Sequence, residues 1–381
     1  MHDIAPTAPA APAERAHPTN PRSGLWGRAL RVFAWLSFIT ETIIIGTGGA
    51  VRLTGSGLGC SEWPLCTPES LVPHYADEGI HGFIEFGNRL MTGVVGVVAL
   101  AVVLLVLSRT SGRRTLTLTL FYAAGGIVAA AITFALVSPL GASAFPLAVA
   151  VLLLAVVAAA VHTSRLTTDH RDLVVLAWIT FAGVLAQALV GGITVLTGLN
   201  PFIVGFHYTS SLLLVCVTAA FLVRLYAAPG PRVSVVPRWF RMLTHVTGLA
   251  LAVTILFGVL TTGSGPHSGD ADVARHGFDA TVLAHVHSWP GYILAALVVS
   301  LTVAAWVLRL PPRRWLLVLV AAIAVQVGVG VWQAREGLPP LLVGIHMVLA
   351  SLSAATYTVV VLTLKRPAPV HTEERAVTVD A

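Results

Sequence analysis

Runs of about twenty apolar residues, broken by short polar or Gly- and Pro-containing stretches, recur from one end of the chain to the other. Ten stand out, at 29–51, 83–107, 116–138, 144–162, 173–197, 203–226, 240–262, 282–308, 315–334 and 341–364. Roughly 20 residues at ~1.5 Å rise cross ~30 Å of hydrocarbon, and helices are the unclosed structures that satisfy their own backbone polar groups there. The pattern predicts an all-α integral membrane protein with about ten transmembrane helices. The first 24 residues, with APTAPAAPAERAHPTNP, are too rich in Ala and Pro to fold alone and read as a disordered cytoplasmic tail. No short apolar core with a cleavage site precedes 29–51, which reads as a retained span.

The chain repeats itself. QALVGGITVLTGLNPFIVGFH (187–207) aligns without gaps on QVGVGVWQAREGLPPLLVGIH (326–346), with Gln187/Gln326, Gly191/Gly330, Gly198/Gly337, Leu199/Leu338, Pro201/Pro340, Gly205/Gly344 and His207/His346 identical. A weaker echo sets Thr54-Gly55-Ser56-Gly57 against Thr262-Gly263-Ser264-Gly265. Between Asn88 and Gln187 the first half carries about 60 more residues than the second does between His287 and Gln326. That surplus fits an added hairpin at 116–162. The expected architecture is two pseudo-repeated four-helix bundles, eight core spans, plus this hairpin. The N-terminal half is placed at 25–226, a cytoplasmic linker at 227–239, the C-terminal half at 240–364 and a cytoplasmic tail at 365–381.

Composition agrees, with 56% hydrophobic and 10% charged residues. The net charge of +6 does not point to nucleic acid, because its distribution has another cause. With both termini cytoplasmic, all 23 Lys and Arg lie on the cytoplasmic side except Arg52, Arg275 and Arg335 outside and Arg89 within a span. This is the positive-inside rule, and it predicts a multi-pass protein of the cell membrane with N and C termini in the cytoplasm.

Against this apolar background, IHGFIEFGNRLMTG (80–93) sets His81, Glu85, Asn88 and Arg89 at the mouth of the second span, on one face by helical spacing. Glu85, Asn88, His207, His287 and His346 all fall roughly 5–10 Å below the external surface by helical rise. Ionisable groups in lipid are costly and mark functional sites, and imidazoles projecting inward from facing helices are how bundles hold metals or haem. Two half-bundles would each hold one haem. His207 and His346 are joined by the repeat and His287 by depth. His285 faces elsewhere, and His162 and His245 lie at cytoplasmic helix ends. A structural Glu85–Arg89 ion pair and a carboxylate facing a haem edge, with Arg89 near the propionates, both remain open for Glu85. Glu41, alone in the first span, reads as a protonated packing residue.

Cys216 lies in a span and reads as packing. Cys60 and Cys66, in GLGCSEWPLC, lie in the external loop after the first span, where thiols oxidise. Their spacing suits a small disulfide loop and not a zinc site, since no second ligand pair accompanies it. A structural staple and a redox-active pair are both open.

GGAVRLTGSGLGCSEWPLC, IEFGNRL and the two repeated segments together resemble the haem A synthase family, in its Gram-positive and actinobacterial form with an external cysteine pair. The resemblance covers 29–364 apart from the hairpin. It implies an enzyme that oxidises the C8 methyl of haem O to a formyl group by successive hydroxylations and loss of water, with water as oxygen source, supplying haem A to terminal oxidases. It implies haem b as iron cofactor with His287 and His346 as axial ligands, His207 as ligand of the substrate haem, and Glu85 beside the substrate as the catalytic carboxylate. Cys60 and Cys66 match a redox or substrate-handover element. Haem O, a haem O synthase and an electron acceptor are the implied partners, besides membrane lipids, and a homo-oligomer is compatible; nucleic acid is not expected. Family members commonly carry His where this chain has Asn88. Here the iron opposite His207 is left with an open or water-bound position, or His81, one turn before Glu85, swings in.

Two other classes compete. A di-haem electron-transfer cytochrome without catalysis would need haems near both membrane faces, whereas the ligands here cluster near one. A transporter would suit repeated halves, but its site lies at the midplane between broken helices.

Overall fold

A computed structural model describes residues 27–140, 144–265, 269 and 279–368. The expected tail at 1–24, most of the tail at 365–381 and Arg275 lie outside the described residues.

Ten helices among the described residues are long and apolar enough to span a membrane. They are α1 (Arg28–Leu53), α2 (Tyr75–Thr110), α3 (Gly112–Val137), α4 (Ala144–Leu166), α5 (Arg171–Leu196), α6 (Pro201–Tyr226), α7 (Arg238–Ser264), α8 (Ala280–Val307), α9 (Arg313–Arg335) and α10 (Pro340–Thr363). This is a multi-pass, all-α membrane protein. Helices α1, α2, α5 and α6 pack as a closed ring, each touching the next, and α7 to α10 form a second ring in the same order. The rings meet through α10 against α6 and α1, and through α6 against α7. At this seam the Tyr208 hydroxyl donates to the Met347 carbonyl at 3.0 Å, and these two residues are repeat counterparts.

The inserted helices α3 and α4 pack mostly on each other, with α4 also against α5. Gly126 permits that approach, since a Cβ there would stand 2.7 Å from the Ala155 Cβ. Away from this contact α3 exposes Leu120, Phe121, Ile127, Val128 and Ile132, a surface suited to acyl chains.

The turns at one end of the two rings are copies. Gly198 and Leu199 have φ of 59° and 58°, and Gly337 and Leu338 have 75° and 65°. In each half the leucine N–H closes the preceding helix, onto the Thr194 carbonyl at 2.8 Å and the Gln333 carbonyl at 2.8 Å. Pro201 and Pro340 then start the next helix, where a missing N–H costs nothing. Left-handed geometry is unfavourable for leucine. Both leucines keep it, and both line cavities.

Two boundaries differ from expectation. The second span begins at Tyr75 and not at residue 83, and bends at Gly79, whose φ of 56° a side chain would resist. The segments expected as linker and tail are joined: β1 (Arg232–Ser234) pairs antiparallel with β2 (Lys365–Pro367). The ladder gives backbone groups just outside the helices their hydrogen-bond partners, which a bare coil would leave to water.

Candidate functional site

The first ring encloses a cavity of about 280 Å³ at the end that carries the cysteine loop. His207, near the start of α6, faces it. The Gln187 side chain fixes that ring: its Nε2 donates to the His207 carbonyl at 3.1 Å and to Ser210 Oγ at 2.8 Å, so its Oε1 is the end that accepts from His207 Nδ1 at 2.8 Å. With the proton on Nδ1, Nε2 is left as a lone-pair donor toward the cavity. Gly191, one turn along α5 from Gln187, packs beside the ring, where a Cβ would stand in ordinary contact 3.5 Å from His207 Cε1. Asn88 of α2 lies on the same wall, its Oδ1 accepting from the Thr47 hydroxyl at 2.8 Å.

Glu85 is buried and also faces the cavity. Its position depends on the cysteine loop. Gly59 lies against the backbone of α2, where a Cβ would come within 2.4 Å of the His81 carbonyl oxygen. That contact brings the Cys60 N–H to Glu85 Oε2 at 2.7 Å. Arg89 clasps the other oxygen, Oε1, through Nε at 3.2 Å, and also donates to the carbonyls of Leu65 at 2.8 Å, Glu62 at 3.0 Å and Cys60 at 3.2 Å. The ion pair thus ties the loop closed around the Cys60–Cys66 disulfide, both of whose cysteines are buried. Between the cysteines Trp63 lies flat on α5 at Gly192, where a Cβ would fall 2.2 Å from the indole. Its edge meets Phe145 of α4 with ring centres 5.1 Å apart, so the inserted hairpin touches the site through this residue.

His81 stands apart from this group. It is exposed, does not line the cavity, and is hydrogen-bonded through Nδ1 to Ser56 Oγ at 2.9 Å. The loop lies against the backbone of α2 at His81 and Gly82 and takes up the Glu85 carboxylate, while the His81 ring turns to Ser56.

In the second ring His287 and His346 face each other with ring centres 6.2 Å apart and planes at 81°. Metal–imidazole bonds are about 2 Å, so two rings on opposite sides of one metal have centres roughly 6 Å apart. The His287 Nδ1–H donates to the Thr254 carbonyl at 2.9 Å, again leaving Nε2 free. Gln326, counterpart of Gln187, donates from Nε2 to the His346 carbonyl at 3.0 Å, while its Oε1 and His346 Nδ1 are buried without hydrogen-bond partners among the described residues. A metal bound at His346 Nε2 would fix the Nδ1–H tautomer that Gln326 Oε1 can accept, as in the first half. Here glycines yield to the rings: a Cβ at Gly330 would lie 3.0 Å from His346 Cε1, and at Gly258 2.9 Å from His287 Cε1. Cavities of about 140 and 330 Å³ flank the pair. The donor set, the spacing and the orphaned polar atoms fit an iron porphyrin held between two imidazoles. His285 stands on the rim of the larger cavity.

The halves differ in charge. The counterpart of Glu85 is Ala284, and that of Asn88 is His287. Among the described lining residues, one half offers two imidazoles and no acid, the other one imidazole, an amide and a carboxylate. Sequence reasoning passed over Gln187 and Gln326 as positioning groups, although their identity in the repeat, twenty residues before each histidine, was the available signal. Trp63 and the Thr254 carbonyl carried none.

Residues 31–140 match COX15-CtaA, cytochrome oxidase assembly protein. A protein named heme A synthase from Exiguobacterium sibiricum is 38% identical over 78 residues, 20% of this chain and 25% of its own. Those of the same name from Geobacillus kaustophilus (35% over 74 residues, 19% and 22%) and Bacillus cereus strain AH187 (41% over 71 residues, 18% and 22%) are similar. The chain thus matches at most 25% of the length of these relatives. The stretch 31–140, which holds the cysteine loop, Glu85, Asn88 and Arg89, is thus similar to the COX15-CtaA family of cytochrome oxidase assembly proteins.

Proposed function

We propose that this protein is a haem A synthase, which oxidises the C8 methyl of haem O to a formyl group. Haem O would sit in the first-half cavity on His207, and a b-type haem in the second half on His287 and His346. One juxtaposition carries the reading: repeat-related cavities, of which one holds two facing imidazoles 6.2 Å apart and the other a single imidazole with a buried carboxylate on its wall. The names of the relatives, and the family match over 31–140 that includes the carboxylate, support it.

Haem iron, when bound, supplies the redox chemistry, and the protein supplies position and charge. His207, held by Gln187, fixes the depth and tilt of the substrate ring. Asn88, a poor iron ligand, leaves the opposite face to water, the proposed oxygen source. Glu85 puts a negative oxygen at the cavity wall, where it stabilises positive charge developing at the methyl carbon or takes up a proton released there. Arg89 and the Cys60 N–H hold that carboxylate in place and set its strength as a base.

The distribution of Lys and Arg supports a cell-membrane protein with both termini in the cytoplasm. The disulfide loop then faces the oxidising side, where such bonds persist. A haem O synthase and an electron acceptor are the proposed partners, and self-association is compatible with this.

The test is pigment chemistry. Co-expression with a haem O source and chromatography of the extracted haems should yield haem A from the wild type, and at least about tenfold less from Glu85→Gln. Haem A at the wild-type rate from Glu85→Gln removes the assigned role of that residue. No haem A from a wild type whose two halves both load haem makes the protein an electron carrier and refutes the proposal.

A further inference from the structure

Glu41 is a second buried acid on α1 that the reading above does not use. It lies at the middle of the helix, on the face that carries Ile45, Gly49 and, nearer the loop, Arg52. The residue is 2% exposed, and its Oε1 has no hydrogen-bond partner among the described residues. A buried carboxyl oxygen without a partner costs several kcal/mol unless it is protonated or meets water. Ionisable groups at this depth are retained for function.

Glu41 faces a cavity of about 120 Å³ that Asn88, Gln187, His207, Tyr208 and Ser211 also line. Asn88, Gln187 and His207 belong equally to the 280 Å³ cavity, so the two spaces are neighbours across shared side chains. A water needs about 10–15 Å³ of such volume and two to four polar partners. The smaller cavity has room for several waters, and hydroxyl, amide and carboxyl groups to hold them. Apolar side chains, among them Ile45, Val95, Val184 and Leu214, make up much of the remaining lining.

The acid is confined to one half. In the register that matches Thr54 with Thr262, Glu41 falls on Leu249, which points outward and is 66% exposed. Packing alone does not explain a carboxyl inside one ring and a lipid-facing leucine on the other. Both buried acids, Glu41 and Glu85, accompany the single-imidazole cavity.

We propose that Glu41 exchanges protons with the His207 cavity through water held in the smaller one. This rests on the reading of the His207 cavity as the oxidation site, because oxidation of a methyl carbon with water as oxygen source releases protons there. In the step itself an O–H bond of a hydronium in the cavity breaks, an O–H bond forms at the Glu41 carboxylate, and water remains; no electron moves. Glu85, fixed by Arg89 and the loop, acts on the outer side, and Glu41 takes up charge on the membrane-interior side.

Infrared difference spectroscopy of the purified, haem-loaded protein tests this directly. Reduction should change a carboxyl C=O band that shifts in D2O, vanishes in Glu41→Gln and survives in Glu85→Gln. Glu41→Gln should keep the haem absorption of the second half while haem O oxidation slows at least about tenfold, less than the 10²–10⁴ of a directly acting acid. Glu41→Asp, which keeps the carboxyl, should recover part of the rate. A redox-silent band, a band that D2O leaves unshifted, or a wild-type rate in Glu41→Gln with unchanged spectra overturns the proposal. Should Glu41→Gln not accumulate, the Asp variant decides: it must retain a redox-sensitive, D2O-sensitive band at shifted frequency, and its absence overturns the proposal. If the wild type converts no haem O, the proposed function falls, while the infrared arm still decides whether Glu41 exchanges protons.

Discussion

Replacing Gly258 by alanine should remove haem from the second half while leaving the fold in place. The new Cβ would stand 2.9 Å from Cε1 and 3.2 Å from Nδ1 of His287. Carbon contacts are comfortable at about 3.5–4.0 Å, so the ring must retreat by about 0.5–1 Å. Retreat breaks the 2.9 Å bond from Nδ1 to the Thr254 carbonyl, worth about 1 kcal/mol net, and carries Nε2 off the line toward His346. Losing the partner that orients a metal ligand typically costs about 10–100-fold in affinity, or about 1.4–2.8 kcal/mol. Alanine for glycine in a helix interior returns about 1 kcal/mol, so thermal stability of the haem-free protein should hardly move. The assay is haem b per protein by the pyridine haemochrome method at limiting haem, with Gly328→Ala as control because a Cβ there meets nothing within 4 Å. Haem should fall about tenfold in Gly258→Ala and not in Gly328→Ala. Equal haem in both, with the same low-spin spectrum, refutes His287 as an axial ligand.

Gln187→Leu removes the acceptor for His207 Nδ1 and should weaken substrate-haem binding by about 10–100-fold, leaving second-half haem unchanged; titration with haem O followed by absorption reads both. Asn88→His should add a second imidazole to the first cavity and convert its iron to a low-spin, six-coordinate EPR signal, whereas His81→Ala should leave the spectrum as it was. A change on His81→Ala would show that Ser56 does not hold that ring away from the cavity. Arg89→Met leaves a buried Glu85 without its cation, a loss of about 3–5 kcal/mol by the precedent of broken buried pairs, and frees three loop carbonyls. Faster alkylation of Cys60 and Cys66 after mild reduction is the expected sign, and an unchanged rate would show that the loop is held by other contacts.

The apolar runs announced the spans, because a bilayer filters composition more strictly than water does. The repeat announced the two rings, and the intramembrane polar residues announced the cavities that His207, His287 and His346 face. Less legible were groups that act through the backbone or through absence. The Thr254 carbonyl has no sequence identity, and Gly258 works by lacking an atom. The position of His81 off the cavity was not legible for a related reason. Helical spacing puts it beside Glu85, but spacing describes a helix alone and takes no account of a loop lying on it. The glycine at position 59 that admits the loop is one of 34 in the chain, and nothing local sets it apart. The pairing of 232–234 with 365–367 joins segments too short and too distant in the chain to signal each other.

The left-handed leucines at 199 and 338 have a consequence for engineering. Glycine at either position would spare the backbone about 1–2 kcal/mol. At 199 it would also delete the isobutyl group on which Gly57 and Gly269 of the two neighbouring loops close, with Gly57 N–H donating to the Gly269 carbonyl at 3.0 Å. A selection for heat resistance alone should therefore drift toward glycine there, and each such gain at 199 would loosen the loop closure that walls the His207 cavity.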